Sequence, residues 1–143
     1  MPLSIADKAA ITLSFSQLTQ SKSNVAESFY KNLFDMAPLI KPLFKSDRKL
    51  LEIHFNELFS TAVHKINHFE ELKADLLALG KRHKSYQAKA SHFTVVKSAL
   101  LLSIQYELKG QCSDAVINAW QQFIEDISEV MIEGLEMQEN PCI

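Results

Sequence analysis

Apolar residues return every three or four positions for several turns at a time along this chain. Leu50, Leu51, Phe55, Leu58, Phe59, Ala62 and Val63 make one stripe, and Phe69, Leu72, Leu76, Leu77 and Leu79 make the next. That interval gathers side chains on one face of an α-helix, so each stripe must find a packing partner. Turn formers are correspondingly scarce, with Gly 3 and Pro 4 in 143 residues against 47% hydrophobic and 22% charged content. The expected class is all-α, and the length suits one domain over 1–143, with about 136–143 as a polar tail.

Helix ends can be read from their punctuation. Ser4 is placed to cap a first helix whose face is Ile5, Ala9, Leu13 and Leu18, and a polar stretch from Thr19 to Asn24 closes it. A second helix carries Val25, Phe29, Leu33 and Phe34 and stops before Pro38, because the residue ahead of a proline is pushed out of helical geometry. Pro38 to Phe44 reads as one short helical turn, after which Ser46 or Asp47 caps the next helix. Gly80, inside the helix that begins near Phe69, costs it about 1 kcal/mol relative to alanine. Ser85 to Ala90 reads as a loop. Ser91 caps a helix carrying Val95, Val96, Ala99, Leu100, Leu102, Ile104 and Leu108, which Gly110 stops as a left-handed residue. A last helix starts near Ser113 and carries Val116, Ala119, Trp120, Phe123, Ile127, Val130 and Met131.

A net charge of −2 and a pI near 6.2 exclude the basic stripe that displaces counterions from phosphates, so no nucleic-acid partner is expected. The N-terminus lacks the basic start and apolar core of a secretory signal, and no apolar run approaches the ~18 residues of a membrane span. A cytoplasmic protein is the expectation. Cys112 and Cys142 are then two free thiols.

The order and spacing of several segments resemble the globin family, in particular bacterial single-domain globins and the haem domain of flavohaemoglobins. The segments are Phe29-Tyr30-Lys31-Asn32-Leu33-Phe34, the run from Pro38 to Phe44, Leu79-Gly80-Lys81-Arg82-His83, the block from His92-Phe93 to Leu100-Leu101, and Ala119-Trp120. The resemblance spans nearly the whole chain. It implies a globin fold of roughly six to eight helices packed around a haem, with haem b (iron protoporphyrin IX) as cofactor. It implies reversible binding of O2, NO or CO as function: oxygen binding, storage or transport.

The same resemblance assigns the candidate residues. His83 matches the proximal iron ligand, with its second ring nitrogen donating to a backbone carbonyl one turn earlier. Phe44 matches the aromatic that packs on the porphyrin, and Tyr30 the distal tyrosine whose hydroxyl donates to the gas. The helix over the other haem face can be aligned in two ways. One places Leu51 at the distal position, His54 at a propionate-facing basic position, and Phe55 where a smaller aliphatic lines the pocket. The other makes His54 the distal histidine, a second candidate iron ligand. The first is favoured because it keeps Phe55, Leu58, Phe59 and Ala62 on one inward stripe.

Two departures bear on enzymology. Where flavohaemoglobins carry a proximal tyrosine and glutamate that make the imidazole more anionic, this chain has Phe93 and Leu135. The 143 residues also hold no flavin or nicotinamide module, so nitric-oxide dioxygenation or peroxidase chemistry would need a separate reductase. A gas or redox sensor would need an output partner. His64, His68 and His92 read as solvated, Trp120 as core, and Lys49, Lys84 and Lys97 as cations within reach of a propionate. The residues do not choose an oligomeric state.

Overall fold

The computed structural model describes residues 3–20, 24–85 and 87–137. They form α1 (Ile5–Gln20), α2 (Val25–Met36), a 3-10 helix (Pro38–Leu43), α3 (Arg48–His64), α4 (Phe69–Ser85), α5 (His92–Leu108) and α6 (Asp114–Glu136), with no strand among the described residues. No described helix is long and apolar enough to cross a membrane. Cys142 and the tail from 138 lie outside the described residues, and Cys112 is a free thiol.

Side chains hold three of the helix starts. Ser4 Oγ accepts from the Asp7 N–H at 3.0 Å while Asp7 Oδ2 accepts from the Ser4 N–H at 3.2 Å, a reciprocal pair that satisfies two otherwise orphaned donors. Asn24 Oδ1 takes the Glu27 N–H at 3.0 Å, and Ser113 Oγ takes that of Val116 at 3.3 Å. The other two expected caps differ. Asp47 stands at the N-cap of α3 but makes no side-chain bond there. Ser91 has helical backbone angles and caps nothing; instead the His92 ring accepts the Lys89 N–H through Nδ1 at 3.1 Å. His92 therefore closes a turn while staying in contact with solvent. At the far end of α5 the left-handed conformation begins at Lys109 (φ 49°) and continues into Gly110 (φ 85°).

The helices pack α4 on α6, α2 on α5, and α1 and α5 on α6, while α3 leans on α2 and α1. Trp120 is wholly buried at the centre. Its Nε1–H donates to Ser14 Oγ at 2.9 Å, and that hydroxyl donates to the Ala10 carbonyl at 2.7 Å, so a buried polar pair is fully used. This bond sets the face of α1. Ile11, Ser14 and Leu18 point inward, whereas Ile5 and Leu13, expected inside, are 88% and 67% exposed. Leu50 and Leu102 also face outward. A second buried tie joins α2 to α5: Asn32 Nδ2 donates to Ser103 Oγ at 2.9 Å, which donates to the Ala99 carbonyl at 2.7 Å.

Gly80 explains its own cost. A Cβ there would run into the Met131 carbonyl oxygen on α6, and one on Gly134 would run into the Leu77 carbonyl oxygen on α4. The two helices cross backbone to backbone, which only glycine permits.

Candidate functional site

Among the described residues α3 and α4 are not a packed pair, although each is anchored to other helices. The residues singled out from the sequence stand on α2, α3, α4 and α5 and on the turn that ends at Phe44.

On one side is His83, near the end of α4 and half-buried. Its Nδ1 lies 2.8 Å from the Leu79 carbonyl oxygen. A carbonyl only accepts, so Nδ1 carries the proton and the ring's lone pair sits on Nε2. Burial pushes the imidazole below its usual pKa, assisted by the Arg82 charge and opposed by the Leu79 bond. A neutral imidazole in a fixed tautomer is the form that ligates metal. No three His, Cys, Asp or Glu side chains cluster as a metal site among the described residues. Phe93, at the start of α5, is buried with its ring 6.5 Å from that of His83, and Leu135 is buried on α6.

On the other side is Tyr30 of α2, 7% exposed and enclosed by rings. Phe44, which follows the 3-10 helix, meets it edge-on at 5.9 Å, and Phe55 of α3 does so at 6.1 Å. Phe55 is in turn stacked between Phe29 at 4.9 Å and Phe59 at 5.6 Å, and Phe59 on Trp120 at 5.4 Å. This aromatic column is what fastens α3 to the core. The Tyr30 hydroxyl has no hydrogen-bond partner among the described residues, and burial raises its pKa from 10 to about 12. It is a neutral donor at neutral pH.

Leu51 and His54 sit one turn apart on α3, so both alignments put their distal residue on one helical face. Leu51 is half-buried against the Phe29–Tyr30 cluster, and His54 is exposed. Phe55, Leu58, Phe59 and Ala62 share the inward stripe expected of them. Lys49 and Lys84 are exposed and Lys97 is half-buried. His64 is not merely solvated, since its Nδ1 lies 2.7 Å from the Ser60 carbonyl.

Arg48 and Glu52 received no role from the sequence. The Arg48 guanidinium carbon lies 5.6 Å from the Tyr30 ring centre and 5.4 Å from that of Phe34. Its Nε is 3.2 Å from Glu52 Oε2, near enough for an ion pair. The N–H is not aimed at that oxygen, however, and Nε is buried without a hydrogen bond. A four-residue spacing on a helix is compatible with such a pair, but nothing in it shows that the arginine lies on aromatic rings.

Surface grooves elsewhere gather no such chemistry. One runs between α5 and α6 past Thr94, Lys97 and Gln121, and another lies beside Leu3, Phe69 and Asp126.

A globin family profile matches residues 27–131. The chain is 25% identical over 142 residues to an anaerobic nitrite reductase of Oryza sativa subsp. indica, covering 95% of this chain and 98% of that one. It is 23% identical over 120 residues to a flavohemoprotein of Halalkalibacterium halodurans, covering 81% of this chain but only 29% of the relative. Among solved structures, a hexacoordinated heme protein from an anhydrobiotic tardigrade superposes with a TM-score of 0.86 at 19% identity, over 95% of this chain and 97% of its own. With the profile running through Tyr30, Phe44, His83 and Phe93 and the fold shared almost end to end, the chain belongs to the globin family.

Proposed function

We propose that this protein holds haem b between α3 and α4 through His83, and binds O2 or another diatomic gas, NO or CO, reversibly on the side of Tyr30. The residues present suit such a group. His83 offers a neutral imidazole fixed by Leu79, α3 and α4 are not packed on each other, and Phe44, Leu51 and Phe93 supply apolar surface on the neighbouring elements. Haem, when bound, supplies the iron at which a diatomic gas is taken up and released.

The chain's own side chains account for the rest. The Leu79 carbonyl fixes the plane of the His83 ring and keeps its lone pair on Nε2. Phe44, Leu51 and Phe55 exclude water, which strengthens any polar contact made inside. Tyr30 donates to the gas. The observation that carries this reading is the Tyr30 side chain: 7% exposed, ringed by Phe29, Phe44 and Phe55, protonated, and with a hydroxyl that bonds no described residue. That hydroxyl is free to donate to a ligand brought beside it. Absorption spectra of the ferrous and ferric protein, with and without CO, test the proposal. His83→Ala should lose the ligation spectrum, and its retention would refute the assignment.

His54 gives the site a second state. It shares a face of α3 with Leu51, is exposed, and is held by no described side chain. Turned inward it competes with the gas for the iron, and turned outward it meets a haem propionate. The tardigrade relative is itself described as hexacoordinated. The spectrum of His54→Ala separates the two: conversion of a six-coordinate to a five-coordinate pattern assigns it to the iron.

An enzymatic reading, nitric-oxide dioxygenation with a separate reductase, draws on the flavohemoprotein relatives. Phe93 and Leu135 count against it, because neither accepts a proton from the imidazole. Sustained nitric-oxide consumption with a cellular reductant would favour it over simple binding.

A further inference from the structure

Tyr30 is nearly closed to water, yet one side of it is covered by a charged side chain rather than an apolar one. Arg48, the first residue of α3, lies over Tyr30 and Phe34 while keeping 40% of its side chain exposed, and Glu52 stands one turn on at 3.2 Å. The 3-10 helix adds Lys41, whose Nζ is 5.8 Å from the Phe34 ring. Both guanidinium contacts lie within the reach of a cation–π interaction, and the planar head can cover a ring as an ammonium cannot. With no side-chain bond from Asp47 at this helix start, the arginine is held by these rings and by Glu52.

We propose that Arg48 is the positioning residue of the Tyr30 hydroxyl: its guanidinium, laid over Tyr30 and Phe34 and backed by Glu52, seals the wet side of the pocket and keeps the phenol turned inward. This rests on the gas-binding reading for its purpose, but not for its test. Sealing explains why a charged group is spent on an aromatic cluster at the start of a helix. It also gives the buried Nε a reason to forgo an aimed bond to Glu52, since the plate is oriented by the rings rather than by the carboxylate.

The first experiment uses protein without haem and follows ionisation of Tyr30 by phenolate absorbance, taking Tyr30→Phe as the blank for the other tyrosines. In Arg48→Ala, water reaches the phenol and its pKa falls from about 12 toward 10. Arg48→Lys shows the same fall, because charge without a plate does not seal. A pKa that stays or rises in Arg48→Ala overturns the proposal, because Arg48 would then act only as a nearby positive charge. The second experiment uses the haem-loaded protein. Gas dissociation quickens by about two- to fivefold in Arg48→Ala, the worth of one such contact, and Arg48→Ala adds nothing in a Tyr30→Phe background. Additive effects of the two substitutions overturn the coupling. If Tyr30→Phe alone leaves dissociation unchanged, the gas-binding role of the hydroxyl falls, while the titration still judges the seal by itself.

Discussion

Gly80 and Gly134 mark the closest approach of α4 and α6, each glycine lying against a carbonyl of the facing helix, those of Met131 and Leu77. His83 follows Gly80 by less than one turn, so the crossing that fixes α4 also fixes the imidazole. Alanine at Gly80 gains about 1 kcal/mol in helix propensity but must push two backbones apart, which typically costs about 1–3 kcal/mol or more. Gly80→Ala and Gly134→Ala are therefore expected to lower the urea midpoint, and a raised midpoint in either would mean that the helices are not in backbone contact.

Ser14→Ala strands the Trp120 indole N–H in a wholly buried position. The expected loss is about 1–3 kcal/mol of stability, together with a change in the emission of Trp120, the single tryptophan. Unfolding monitored by that fluorescence reports both, and an unaltered midpoint would show that the bond contributes nothing.

Tyr30 makes stability fall at high pH. Below pH 10 the phenol is protonated in folded and unfolded chains alike. Between 10 and about 12 the unfolded chain releases its proton while the folded one retains it. Folding then costs more, by about 3 kcal/mol across the window. The difference between wild type and Tyr30→Phe, from denaturant titrations at each pH, isolates this contribution from lysines that titrate nearby. Parallel curves would refute it.

His83 acts at the acid end. Its folded pKa lies below the ordinary 6.5, so as pH falls from 6.5 toward the lower value the unfolded chain takes up a proton first. Haem-free protein loses stability over that interval, and His83→Leu flattens the dependence. An equally steep fall in the variant would assign the acid sensitivity to other groups.

Tyr30→Phe in the haem-loaded protein removes one hydrogen bond to the gas. Dissociation of O2 is expected to accelerate by roughly tenfold, which corresponds to about 1.4 kcal/mol. Stopped-flow displacement measures it directly.

The helices were largely legible because their stripes are regular: apart from Leu50 at the start of α3, α3 and α4 bury what their spacing says they bury. α1 was not, because it carries apolar residues around its whole circumference, and its face is chosen by Ser14, a polar residue recruited by a tryptophan far along the chain. Gly80 looked like a defect until α6 was set against it. Phe44, Tyr30 and His83 were singled out through the family resemblance rather than by spacing, and that resemblance left α3 with two registers, which place the distal residue at Leu51 or, one turn on, at His54. Arg48 stayed hidden for a related reason. A charge at a helix start is ordinary, and its stacking on Tyr30 depends on how α2 and α3 meet.

α3 and α4, the two helices proposed to flank the haem, answer to different anchors. α4 is locked to α6 through its glycines, whereas α3 hangs on a stack of rings reaching from Phe29 to Trp120. In the absence of haem the amides of α3 will therefore exchange with solvent deuterium well before those of α4. Haem bound between them will slow the first helix far more than the second, making α3 the wall that yields and α4 the wall that stays.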